Sequence, residues 1–327
     1  MEHALGALLG AATVGAFLEF FPRRPREAGV EQALALPGGG CLNVGPGQFT
    51  DDTELALAGT EPGVPRQRGR TAVRLVVQAS QPFDMGNATH NAFGMRGWEG
   101  IADCAAQALQ NVHNEYSAAS KANGALMRAT PLAVWAHRLG TDAIAACAKA
   151  DAQLSHPNQA CQDANAAYVM ACASLIRWPG DAGAALTAAE ERAAANACRE
   201  VQEWLAEARD NGAMAAYNAH GASMGFVKHA FCLAFYHLRR HSGFVEGLRH
   251  TLLCGGDTDT NACIVGGVLG ARYGAAGIPP ELRGEVEGYS FDGSGRGHRR
   301  PQQLLGSQLA PLAERLYQEA VQDVGQQ

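Results

Sequence analysis

Apolar residues recur at three- and four-residue spacing through Ala-rich runs at 101–111, 141–152, 160–176, 184–209, 226–240, 261–273 and 303–322. That period is the signature of helices with one buried face. Strand signals are nearly absent. The segment 73–77 is the main apolar, β-branched candidate, and its length and flanks suit a short helix equally well. The pattern therefore predicts an all-α chain.

The breaks between these runs carry the unusual residues. A glycine-rich stretch at 37–47 leads into Thr50, Asp51, Asp52 and Thr53, and Gly255 and Gly256 lead into Asp257, Thr258, Asp259 and Thr260. Both acidic clusters thus fall where a loop turns into a helix. Asp and Thr at a helix start commonly cap free backbone N–H groups, which accounts for one such residue but not for a repeated pair. The second reading is chemical. Hard divalent cations such as Mg²⁺ and Mn²⁺ take oxygen ligands, and each cluster offers two carboxylates and two hydroxyls. Four carboxylates brought together repel one another, and a metal pair would neutralise them. Only the fold can unite two clusters so far apart in the chain, so capping and metal binding both stand at this point.

The first 18 residues pose a separate question. Residues 4–18 are uncharged, yet the stretch is shorter than the ~20 residues a bilayer span needs, and Met1, Glu2 and His3 supply no positive leader. Gly6, Gly10 and Gly15 instead suggest a buried helix in close contact with others, ending at Glu19.

Composition narrows the class. With 327 residues, 47% hydrophobic and 18% charged, and no Ser- or Pro-rich linker, the chain reads as one globular domain over 1–327. A net charge of −6 argues against a nucleic-acid binder. The short basic runs at 237–241 and 296–300 read as solvated surface. Nine cysteines without a C-x-x-C pair argue against a disulfide scaffold or zinc ribbon and fit a reducing cytoplasm. His237 and His241 lack the Glu of a zinc-protease motif, and no complete dinucleotide fingerprint or P-loop is present.

Several segments in order carry a resemblance. They are Gly6 to Gly10 with Gly15 to Phe20; Gly45, Pro46, Gly47, Gln48 and Phe49 leading to Thr50, Asp51, Asp52 and Thr53; Pro82 to Asn87; Asn123 to Pro131; Ser155, His156 and Pro157; and Gly255 to Thr260. Together they make the chain resemble the ADP-ribosylglycohydrolases, the family of the dinitrogenase reductase-activating glycohydrolase, nearly end to end. The resemblance implies a compact, single-domain, multi-helical orthogonal bundle with a binuclear Mg²⁺ or Mn²⁺ cleft. It implies Thr50, Asp51, Asp52, Asp257, Asp259 and Thr260 as metal ligands.

By the same resemblance, Glu19 lies close to the metals, and Asp52 or Glu19 serves as proton acceptor. Asp84 matches a loop that faces the guanidinium in members acting on ADP-ribosyl-arginine, where a carboxylate is the natural partner of that planar fork. Ser120, Asn123, Gly124 and Met127 match the segment around the diphosphate and proximal ribose, His156 lies beside it, and Phe226 aligns with an aromatic that stacks on adenine. The expected protein is a monomeric, cytoplasmic, metal-dependent hydrolase that takes ADP-ribosylated protein and yields ADP-ribose, with no membrane or nucleic-acid partner. Removal of O-linked ADP-ribose from serine, or ADP-ribose binding with weakened catalysis, are the alternatives. One departure stands out: Ala12 occupies the place of a family aspartate in the first helix, although every implied ligand is retained.

Overall fold

The computed structural model describes residues 1–13, 25–58, 84–93, 104–291, 293 and 295–324. Among them the regular elements are helices, and the only β pairing consists of two isolated bridges, Gly39 with Val44 and Ala122 with Phe226. The segment 73–77 lies outside the described residues, as do Gly15 and Glu19.

At the centre lies the helix Gln159–Arg177. Its Ala-rich sequence has no internal Gly or Pro, and Asn158 caps it by accepting the Ala160 N–H at 3.0 Å. It packs against the helices Thr130–Ala136, Thr141–Gln153, Ala182–Asn196 and Thr258–Tyr273. One continuous core runs through them, from Ala4 near the start to Leu316 in the helix Leu309–Val324.

The first helix, Glu2–Ala12, lies against Thr258–Tyr273 more extensively than any other helix pair. Glycine permits this. A Cβ at Gly10 would collide with the Gly266 carbonyl, and one at Gly270 with that of Gly6. At Gly267 a Cβ would stand 2.5 Å from the Tyr168 hydroxyl, which donates to the Ile264 carbonyl at 3.0 Å. The apolar amino-terminal stretch is thus a core helix as far as it is described, and no described helix is long and apolar enough to cross a membrane.

Two predicted helices differ from the pattern. The run 184–209 is two helices, Ala182–Asn196 and Arg199–Glu207, because the Cys198 N–H donates at 2.7 Å to the buried Asp163 carboxylate instead of continuing the helical ladder. The run 303–322 starts as helix only at Leu309, after short 3₁₀ turns at Gln302–Leu304 and Gly306–Gln308. Gly306 lies in this irregular stretch at a close backbone approach, since a Cβ there would strike the Val286 carbonyl.

Candidate functional site

The helix Asp51–Ala58 begins within the first acidic cluster, so Asp51, Asp52 and Glu54 occupy its first turn, where the helix dipole favours negative charge. The Thr50 hydroxyl donates to Asp52 Oδ2 at 2.9 Å, and every residue from Thr50 to Glu54 is buried. The second cluster begins the helix Thr258–Tyr273. Gly255 and Gly256 turn the chain into it with φ of 73° and 83°, and a Cβ at Gly256 would clash with the backbone of Ala219.

Asp257 occupies the N-cap position of that helix, yet its side chain makes no capping hydrogen bond. It accepts from Asn123 Nδ2 at 2.8 Å instead. Capping therefore does not account for Asp257.

The fold brings the two clusters together. The Thr260 hydroxyl donates to the Asp52 carboxylate, and Asp257 lies close enough to raise the proton affinity of both Asp51 and Asp52. Burial, together with repulsion from Asp257, pushes Asp52 up to about 7. Burial and neighbouring carboxylates also raise Asp51 and Asp259 well above the usual range. Asp84 is raised too, by burial and then by Asp257. Five carboxylates thus share one field.

These residues suit divalent cations in their donor set and in what they leave unmet. Asp52 Oδ1 and Thr53 Oγ1 are buried without a hydrogen-bond partner, in a region short of positive charge. Even so, no three His, Cys, Asp or Glu side chains among the described residues converge in an arrangement that would hold an ion. Shared repulsion needs only proximity, whereas ligation needs convergence, to which the Thr50 and Thr260 hydroxyls would add oxygen donors. The crowded carboxylates and the unpartnered Asp52 Oδ1 are compatible in chemistry with a divalent cation.

The remaining predicted residues occupy a neighbouring loop. Asn123 is buried and tied to the second cluster through Asp257, and its N–H donates to the Gly225 carbonyl at 3.0 Å. The Val227 N–H reaches back to Lys121, which lays the 121–123 and 225–227 strips side by side. Ser120 is half-buried at the end of the helix Glu115–Ala119, and Met127 is buried in the core. Phe226 is half-buried, with its ring edge-on to Trp204 at 5.4 Å.

Gly124 abuts His156: a Cβ there would stand 2.9 Å from the imidazole Cε1. Burial and the nearby Arg128 guanidinium push His156 down to about 3, so the ring is neutral at physiological pH. Its Nδ1 meets the Ser155 hydroxyl at 2.9 Å, and that hydroxyl in turn accepts from Arg128. Glu19 lies outside the described residues.

Sequence reasoning missed several residues. Arg300 is not solvated, as the basic run 296–300 suggested, but 7% exposed and doubly bonded to the buried Glu54. Charge count alone cannot distinguish a buried guanidinium from a surface one. Asn261, one turn beyond Asp257, is fully buried with both amide atoms unpartnered. Its place directly after Thr260 was the available signal.

A solved chain described as an ADP-ribosylglycohydrolase-related protein complex superposes with a TM-score of 0.65, covering 98% of each chain at 23% identity. The ADP-ribosylglycohydrolase family model matches residues 1–324, and the chain belongs to that family. Among its relatives are an ADP-ribosylarginine hydrolase of Pseudomonas putida, 26% identical over 86% of this chain and 73% of its own length, and the ADP-ribosyl-[dinitrogen reductase] glycohydrolase of Rhodospirillum rubrum, 28% identical over 85% and 88%.

Proposed function

We propose that this glycohydrolase removes ADP-ribose from modified arginine side chains of a protein. The observation that carries the reading is the meeting of Thr50, Asp51 and Asp52 with Asp257, Asp259 and Thr260, with Asp84 beside Asp257. Two relatives named for ADP-ribosylarginine and for ADP-ribosylated dinitrogen reductase support it.

Thr50, Asp51, Asp52, Asp257, Asp259 and Thr260 would hold two Mg²⁺ or Mn²⁺ ions. Such a pair, when bound, neutralises the carboxylates and supplies Lewis acidity toward ribose hydroxyls and water. The chain's own groups do the rest. Asp84 receives the guanidinium leaving group, for which a carboxylate is the matched acceptor. Asp52 accepts the proton of the attacking water as the bond from the anomeric carbon to the arginine nitrogen breaks, and that proton passes to the departing nitrogen, so that arginine leaves as guanidinium paired with Asp84. His156, held neutral, offers a hydrogen bond beside Gly124 without adding charge.

The test is release of ADP-ribose from arginine-linked and serine-linked peptides, with Mg²⁺ and with excess chelator. Turnover of the arginine peptide alone is expected, abolished by chelator and in Asp257→Ala, and reduced about 10- to 100-fold in Asp84→Asn, the worth of a hydrogen bond between charged groups. Turnover of only the serine peptide, or undiminished turnover in chelator, would overturn the reading.

A further inference from the structure

The basic run 296–300, which the proposed chemistry does not use, lies against the chain that delivers the first acidic cluster. Gln48, 1% exposed and two residues before Thr50, is the centre of this contact. Its Oε1 accepts from the N–H groups of Gly45 at 3.0 Å and His298 at 2.9 Å and from the Tyr289 hydroxyl at 2.8 Å, while its Nε2 donates to the His298 carbonyl at 3.0 Å. The Gly297 N–H donates to the Asn43 carbonyl at 3.0 Å, and the His298 ring meets the Leu42 carbonyl at 2.6 Å. Two glycines let the strands of chain approach: a Cβ at Gly297 would stand 2.6 Å from the Tyr289 hydroxyl, and one at Gly45 2.5 Å from the Tyr289 ring.

Past this clasp, Arg300 reaches the acidic helix. Its Nε and terminal nitrogen each donate at 2.5 Å to separate oxygens of Glu54, whose side chain is completely buried. The bidentate geometry fixes direction as well as distance, which a lysine ammonium would not do. Gln48 thus pins the chain just before Thr50, and Arg300 pins it just after Asp52. The three proposed ligands of the first cluster lie between two fixed points.

We infer that Arg300 and Gln48 are positioning residues: Tyr289 together with residues 297–300 sets the orientation of Thr50, Asp51 and Asp52 toward the second cluster without touching substrate. A surface role for the segment does not explain why an arginine and a glutamate are buried together, since a pair of apolar residues would fill the same space with no desolvation cost. The inference rests on the reading that these residues hold divalent cations, and it predicts an effect on cation affinity and on kcat rather than on KM.

The experiment uses the full chain with Glu54→Gln combined with Arg300→Met, which removes both buried charges at once and avoids an unpaired ion. Tyr289→Phe, which deletes only one hydroxyl, is the second variant. Three quantities are measured: Mn²⁺ affinity by paramagnetic resonance titration, hydrogen exchange of the amides at 48–54 against those of the helix Gln159–Arg177, and kcat with KM on an arginine-linked peptide. The double variant is expected to weaken Mn²⁺ binding and kcat about 10- to 100-fold, the usual effect of losing a group that orients a metal ligand. Exchange at 48–54 rises while the central helix keeps its protection, KM changes little, and Tyr289→Phe shows the same pattern to a smaller degree. Arg300→Lys, which keeps charge but not the fork, recovers only part of the loss. Wild-type affinity, exchange and kcat in the double variant would overturn the inference, as would equal loss of protection in both regions in Tyr289→Phe. Failure of the wild-type protein itself to bind Mn²⁺ would instead count against the metal reading, and the exchange comparison would still decide the positioning role.

Discussion

The two acidic clusters look alike in sequence and are held by different physics. The second, Asp257 to Thr260, starts a helix whose backbone presses directly on Glu2–Ala12 through Gly6, Gly10, Gly266 and Gly270. The first, Thr50 to Thr53, starts a short helix whose lead-in presses on backbone at Gly47 against Glu285, and it is further held by polar anchors, Gln48 on one side and the Glu54–Arg300 pair on the other. One cluster is mounted on two close-packed helices, and the other adds hydrogen bonds and a buried charge pair to a single close backbone approach. Packing of the first sort tolerates almost no change of volume, whereas polar anchoring is directional and can be altered one bond at a time.

The most severe way to break the comparison is to add volume between the glycine helices. Gly270→Val forces a side chain into the Gly6 carbonyl, and overpacking of this kind costs about 3 kcal/mol or more. Thermal unfolding should show a large loss of stability or no cooperative transition. A melt like that of wild type would mean that the glycine contact is not what anchors the second cluster.

A pH series sharpens how the clusters share their field. Asp52 is raised in the fold, from its ordinary 3.8 to about 7, so its contribution to stability is fully present below pH 4 and is lost as pH rises through 7. His156 and His237, both pushed down to about 3 chiefly by burial, act in the opposite sense: their contribution is present above pH 6.5 and is lost as pH falls toward 3. Metal-free Asp52→Asn should therefore melt above metal-free wild type at pH 8, with the gap closing as pH falls to 4, and the histidine limb should be unchanged in both. A constant gap across that range would show that Asp52 does not carry the repulsion assigned to it.

A smaller change isolates the brace between the loop at Asn123 and the second cluster. Asn123→Ala removes the amide that Asp257 accepts at 2.8 Å, and loss of such an orienting partner costs about tenfold in cation affinity. Equal loss in Gly124→Ala, which crowds His156 but leaves the amide, would assign the effect to the loop as a whole. The mildest change tests whether glycine matters only where backbones touch. Gly284, in the helix Pro280–Gly288, has open space around it, so Gly284→Ala should stabilise by up to about 1 kcal/mol, the helix-propensity difference.

The same contrast explains what could be read in the sequence. Helical periodicity and the glycines at 6 and 10 were visible because close helix packing leaves a local signature at three- and four-residue spacing. The acidic residues were visible because both clusters repeat one short pattern at a helix start. The break at 197–198 was not, since it depends on a buried aspartate 35 residues earlier in the chain. Gln48 and Arg300 were equally hidden, because nothing local separates a buried guanidinium from a solvated one, and their partners lie about 250 residues away. Asn123 was assigned to substrate by the family resemblance; its link to Asp257 is a property of the fold alone.

On the proposed reading, the two clusters form one cation site. Titration of Mn²⁺ into wild type, Asp52→Asn and Asp257→Asn, followed by calorimetry, tests it most directly. Two ions per wild-type chain are expected, with both ions weakened together by either substitution. Two independent ions, each lost with only one of the substitutions, or no binding to wild type at all, would contradict it.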